Sequence, residues 1–135
     1  MTLELISVTN DAYINANSVC ELLEKISALA LECPITLVLD NARYQRCEAV
    51  MKYADSLKIE LLFLPSYSPN LNLIERLWKF VKKKCLYSRY YEKFSDFKNA
   101  ISDCLQKLGT DYKDDMTGVM TLKFQTFKNV QVVAR

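Results

Sequence analysis

Histidine is absent from this chain, and that gap narrows its chemistry sharply. Without an imidazole there is no Ser-His or Cys-His nucleophile pair, no histidine general base and no ordinary Cys/His zinc site. Glycine occurs twice and proline three times, too few for long linkers or a glycine-rich phosphate loop. The five cysteines, Cys20, Cys33, Cys47, Cys85 and Cys104, are odd in number and have no C-x-x-C spacing. They occupy apolar-patterned positions and read as reduced core thiols of a cytosolic protein. No apolar stretch is as long as a membrane helix, and Met1-Thr2-Leu3-Glu4 lacks a basic leader, so neither a membrane partner nor a signal peptide is expected. The expected compartment is the cytoplasm.

What remains is the composition of one soluble globular domain. The chain has 135 residues, of which 50% are hydrophobic and 25% charged, enough for a single core. The net charge of +2 is too small to identify a polyanionic partner, but its distribution is uneven. Between Arg76 and Lys93 the chain places Arg76, Lys79, Lys82, Lys83, Lys84, Arg89 and Lys93 against a single acid, Glu92. That local excess is the electrostatic feature most relevant to a phosphate-bearing partner.

Patterning divides the chain into an α/β part and a helical part. Thr2 to Thr9 alternates loosely and predicts a strand, turned by Asn10-Asp11. Asn15 to Leu31 predicts a helix, with Ser18 and Glu21 as a capping box, Val19, Leu22, Leu23, Ile26 and Leu29 on one face, and Pro34 as the stop. Ile35–Leu39 is a continuous apolar run of the kind found in strands buried on both faces. Tyr44 to Leu57 predicts a second helix with Cys47, Val50, Met51 and Ala54 inward. Ile59 to Leu64 predicts another strand, closed by Pro65. Short connections in this order imply a right-handed crossover and parallel pairing of the Ile35 and Ile59 strands.

After the 65–72 loop, Leu71, Ile74, Trp78, Val81 and Cys85 form an apolar stripe, with Arg76, Lys79, Lys82 and Lys83 facing elsewhere. Phe94 to Leu108 predicts an amphipathic helix with Phe94, Phe97, Ile101, Cys104 and Leu105 inward and Gly109 as its C-cap. A short helix fits within residues 111–120. The apolar and aromatic tail, 122–133, has no clear period.

Two carboxylates stand out. Asp40 directly follows the Ile35–Leu39 run, where ligands bind in open parallel sheets. Glu75 lies at the start of the helix that follows the next strand. Hard oxygen donors so placed suit Mg²⁺, which keeps several waters and needs one or two protein carboxylates per ion. Two such ions, roughly 3.5–4 Å apart, can activate a water or 3′-hydroxyl and stabilise a leaving oxygen. Ordinary roles fit the same residues: a strand-end aspartate bonded to loop amides, and a first-turn glutamate favoured by the helix dipole. Asn41 and Asn72 suit support of metal ligands or a phosphate, and equally suit turns and caps. Lys82–Lys84 reads as a solvated helix face or a phosphate contact, and Trp78 as core. Tyr87, Tyr90 and Tyr91, interleaved with Arg89, fit either nucleic acid or an interface.

The stretch Leu37-Val38-Leu39-Asp40-Asn41-Ala42-Arg43-Tyr44, followed by Leu64-Pro65-Ser66-Tyr67-Ser68-Pro69-Asn70-Leu71-Asn72-Leu73-Ile74-Glu75-Arg76-Leu77-Trp78, closely resembles the catalytic core of DDE transposases of the IS630/Tc1/mariner superfamily. The 34 residues between Asp40 and Glu75 match the interval between the last two catalytic acids of that group. Tyr90-Tyr91-Glu92-Lys93-Phe94 and Thr121-Leu122-Lys123-Phe124-Gln125-Thr126-Phe127 are also similar to IS630-type sequence, so the resemblance spans essentially the whole chain.

The resemblance implies an α/β, RNase H-like fold with a helical C-terminal part. It also implies Mg²⁺- or Mn²⁺-dependent cleavage and joining of DNA at transposon ends. Asp40 and Glu75 become the second and third catalytic acids and the metal ligands, with Asn41 and Asn72 in support. Arg76, Lys79, Lys82, Lys83, Lys84 and Arg89 become DNA contacts. Two departures accompany it. Gln45 stands where the family usually has a histidine. The chain also begins at what corresponds to the third strand of the fold, so residues 1–135 form a single partial catalytic domain. It lacks the first two strands, the first catalytic aspartate and the preceding helix-turn-helix domain. Asp11 lies in a turn and does not replace the missing acid.

On this expectation the two-metal site is incomplete and the chain is inactive or weak alone, so whether it is an enzyme by itself stays open. The alternative is a non-catalytic DNA-binding or oligomerising fragment that complements or inhibits a full-length transposase. Unpaired strand edges would favour a homo-oligomer or association with an N-terminal transposase part. Alternatively, Thr2–Thr9 repacks beside the Ile35 strand as a compact three-stranded sheet.

Overall fold

The computed structural model describes residues 4–65 and 73–121. Its elements run α1 (Ala16–Ser27), β1 (Ile35–Leu39), α2 (Glu48–Ser56), β2 (Ile59–Phe63), α3 (Leu73–Val81), a π-helical turn (Lys82–Leu86), α4 (Phe94–Lys107) and α5 (Lys113–Val119). β1 and β2 pair in parallel, from Ile35 opposite Ile59 to Leu39 opposite Phe63. The Leu64 amide extends the ladder by donating to Leu39 O at 2.8 Å. Parallel strands need a long crossover, and α2 supplies it.

Capping places α1. The N-cap is Asn15, whose Oδ1 accepts from the amides of Asn17 (3.0 Å) and Ser18 (3.2 Å). Ser18 completes a reciprocal box by accepting from the Asn15 amide at 3.4 Å. The expected Ser18–Glu21 box is therefore displaced by one turn, because Asn15 already satisfies the first free amides. The helix ends at Ser27, short of Leu31, in a turn with Ala30 at φ 48°. α2 begins at Glu48 rather than Tyr44 because the preceding residues close a separate turn. The amides of Gln45 and Arg46 both donate to Ala42 O at 3.0 Å.

One core cluster joins Val19 and Leu23 of α1, Val50 and Ala54 of α2, and Ile59 of β2, with Ile35, Leu37 and Leu61 packed against it. Met51, expected inward, is exposed. The two strands are not buried on both faces. Their burial alternates, leaving Val38 54% and Leu62 52% exposed on the open side. Thr36 and Glu60 also lie exposed there, and Thr36 Oγ1 donates across the strands to Glu60 Oε2 at 2.8 Å.

Residues 4–9 form no strand, so among the described residues the sheet is two-stranded and the three-stranded packing is not observed. Glu4, Leu5, Ser7 and Thr9 instead line a cavity of about 520 Å³ with α3, α4 and α5. Lys25 Nζ donates to Ser7 O at 3.0 Å, and Lys98 pairs with Asp11 at 2.7 Å, tying this segment to α1 and α4.

A second cluster joins Leu77, Phe80 and Val81 of α3, Cys104 and Leu108 at α4, and Met116 of α5. The inward face of α3 is thus rotated from the expected stripe. Ile74 is 50% and Trp78 42% exposed, while Leu71 lies outside the described residues. Phe94, also expected inward, is exposed. Cys85 is bonded to Cys104, with Cα atoms 6.5 Å apart, so the expectation of five reduced thiols fails for that pair. Cys20, Cys33 and Cys47 are free. Gly109 does not adopt the left-handed conformation expected of a C-cap, and α4 closes instead through Leu108 in the right-handed region. The 122–133 tail lies outside the described residues. No described helix is long and apolar enough to cross a membrane.

Candidate active site

Asp40 emerges, exposed, at the carboxyl end of β1. Parallel pairing puts the carboxyl end of β2 beside it, where an open sheet presents ligands. The next turn is fastened over both strand ends. Arg46 Nη1 donates to Asn41 Oδ1 at 3.0 Å, and its guanidinium lies over the Phe63 ring at 5.7 Å from the centroid. A cation on an aromatic face is favourable, so Arg46 holds the β1 exit against the last residue of β2. Gln45, in the same turn, has its Oε1 buried with no hydrogen-bond partner among the described residues. Such an orphaned oxygen is uncommon, and no local pattern in the chain signals it.

Glu75 lies in the first turn of α3 and is exposed. An anion is favoured there by the exposed amides of the helix start. Segment 66–72, which joins β2 to α3 and contains Asn72, lies outside the described residues. Among the described residues, no group of three or more His, Cys, Asp or Glu side chains could hold a metal ion. The structure brings Asn41 to Arg46, but does not by itself gather Asp40, Glu75 and a further acid. The donor chemistry still fits Mg²⁺ or Mn²⁺: two exposed carboxylates and an amide oxygen are hard ligands. Their number is that of one ion's share, short of a pair.

The basic stretch divides into engaged and outward cations. Arg76 is half-buried and its Nη1 donates to Thr121 O at 2.5 Å, holding the end of α5 to α3. Lys84 pairs with Asp115 at 3.4 Å and lies over the rings of Phe80 (5.6 Å) and Tyr112 (5.3 Å). Its ammonium therefore serves the junction of α3 with α5. Lys79, Lys82, Lys83 and Arg89 are exposed. Lys82 and Lys83 ride on the π turn, closed by Tyr87 N donating to Lys82 O at 2.9 Å. A π turn inserts one residue into the helical register and recurs at functional sites. No helical-period pattern reveals it.

Residues 2–98 match the family model described as DDE superfamily endonuclease. The match covers the strand–helix–strand unit, α3, the π turn and the start of α4. It therefore includes both Asp40 and Glu75. No curated protein is a match. With most of its length matched, and with a carboxylate at the end of β1 and another in the first turn of α3 inside the match, this chain belongs to the DDE superfamily of endonucleases.

Proposed function

We propose that this chain is the C-terminal part of an IS630-type transposase catalytic domain, RNase H-like in fold, that cleaves and joins DNA at transposon ends. The observation that carries this reading is the position of Asp40 at the carboxyl end of a parallel strand pair, within the family match. Asp40 and Glu75 hold the divalent cation, Mg²⁺ or Mn²⁺, with Asn41 and Asn72 orienting the ligands or a phosphate oxygen. A cation bound there supplies charge stabilisation at the scissile phosphate and acidifies the attacking water or 3′-hydroxyl. Lys79, Lys82, Lys83 and Arg89 take phosphates along the DNA, while Arg76 and Lys84 shape the helical surface that presents them.

Asp40 and Glu75 are two of the three acids such chemistry uses, so the 135-residue chain alone nicks DNA weakly or not at all. Calorimetric titration with Mg²⁺ or Mn²⁺ tests the reading. Wild type should bind and Asp40→Ala should not, whereas absent binding by wild type, or equal binding by the variant, counts against it. Robust metal-dependent plasmid nicking by the pure chain would overturn the two-acid account.

A second reading is favoured by the open sheet face that carries Val38 and Leu62. In it the chain is a non-catalytic DNA-binding fragment that associates with itself or with an N-terminal transposase part, complementing or inhibiting it. Unpaired edges and bare apolar faces favour such association. A monomer by light scattering across micromolar concentrations would dismiss the self-association, and flat salt dependence of DNA affinity would dismiss the DNA binding.

A further inference from the structure

The segment joining the π turn to α4 is built more elaborately than a connection requires. Ser88 is held in the left-handed region at φ 61°, uncommon for a residue with a β-carbon. Arg89 N donates to Leu86 O at 3.3 Å. Tyr91 Oη donates to Cys85 O at 3.0 Å, and Cys85 is itself bonded to Cys104 of α4. Phe97 receives Tyr91 edge-on at 6.0 Å and Phe94 at 6.2 Å, tilted by 39°. The result is a cleft of about 380 Å³ lined by Leu86, Arg89, Tyr90, Tyr91, Phe94 and Phe97.

Its floor is fixed, and among the described residues nothing covers its rim. Leu86, Tyr91 and Phe97 are half-buried, whereas Phe94 is exposed and Tyr90 is 90% exposed. Single exposed aromatics need no explanation, but several around one cleft mark a binding surface. The cleft holds Arg89, and the exposed Lys82, Lys83 and Lys93 flank it in the chain against two acids, Glu92 and Asp96. Aromatic faces beside an arginine, next to lysines, complement a base with its phosphate. An apolar peptide would have no use for this cationic excess. Within a duplex each base face is covered by its neighbours, so the matching ligand is an unstacked base.

We propose that this cleft binds a single-stranded or extruded nucleotide, its base against Tyr90 and Phe94 and its phosphate against Arg89. The site rests on the reading that the domain acts on DNA, and specifies which form of DNA this face holds.

The test uses the full 135-residue chain and fluorescence anisotropy with three labelled DNAs: a single strand, the same strand with one abasic position in a short site, and the duplex. Wild type should prefer the intact single strand to the abasic one. Tyr90→Ala should weaken intact single-strand binding by about tenfold or more, the usual loss of one stacked base. It should erase the abasic difference and leave duplex affinity within about twofold, while Tyr90→Trp restores single-strand binding. Tyr90 is exposed, so its replacement should leave the fold intact, checked by circular dichroism.

Equal losses on single strand and duplex, or no loss on either, would overturn the proposal. So would a self-association of wild type that Tyr90→Ala abolishes without DNA, since the cleft would then be a protein contact. Salt-dependent duplex binding with no single-strand preference would sink the cleft but leave the DNA reading standing. No binding to any of the three DNAs would sink both.

Discussion

The rotated face of α3 gives the sharpest stability prediction. Two stripes with helical spacing run along this helix: Ile74, Trp78 and Val81, and Leu77, Phe80 and Val81. Val81 is buried and common to both, but it is Leu77 and Phe80 that join it in the core, while Ile74 is 50% and Trp78 42% exposed. Truncating a buried leucine removes its transfer free energy and leaves a cavity, about 2–5 kcal/mol together. A buried tryptophan would cost about 3–5 kcal/mol, but a half-exposed one has given up much less of its contact with water, and we expect about 1 kcal/mol. Leu77→Ala should therefore be the more damaging change even though it removes fewer atoms. Urea unfolding followed by far-ultraviolet circular dichroism reads both variants, since Trp78 is the only tryptophan and cannot serve as the probe. For a domain of this size about 1 kcal/mol moves the melting temperature by roughly 3–6 °C, so the two variants are resolvable. If Trp78→Ala loses more stability than Leu77→Ala, the described packing of α3 is wrong.

Other expectations are more local. Reduction of Cys85–Cys104, which are 19 residues apart in sequence, should cost about 3 kcal/mol by loop entropy; unchanged urea midpoints with and without a dithiol reductant would show that the bond is not made. Burial, with a smaller contribution from Cys47, raises the Cys20 thiol above its ordinary value. Cys20 therefore holds less thiolate at pH 8, and iodoacetamide should label exposed Cys33 first and Cys20 later, as mass spectrometry of timed digests would reveal. Removing Lys83 should flatten the fall of log K with log salt on duplex DNA by about 0.9 if it meets one phosphate, whereas an unchanged slope would place it off the DNA.

Much of the α/β part was legible because its signals are local. Pro34 and Pro65 bracket two short apolar runs, and the observed strands follow them to within a residue. Parallel pairing followed from the connection lengths, and with it the place of Asp40 at a strand end. The start of α1 was legible to within a residue, but its cap was not, since Asn15 and Ser18 are both acceptable caps and backbone geometry chose between them. Residues 4–9 show alternation without a partner strand, and alternation alone does not make a ladder. The face of α3 was ambiguous because apolar residues surround it on several sides. The π turn and the Cys85–Cys104 bond depend on a register change and a meeting of two helices, which no local pattern encodes. The cleft of Tyr90 and Phe94 was visible only as a run of aromatics beside Arg89.

In the proposed function Asp40 and Glu75, carried on separate elements, converge on the same cation. Calorimetric Mn²⁺ titration of wild type, Asp40→Ala, Glu75→Ala and the double variant tests it most directly, because ligands of one ion are not additive. Each single change should remove most of the binding, and the double variant should lose little more. Two independent losses that sum in the double variant, or metal binding untouched by Glu75→Ala, would contradict it.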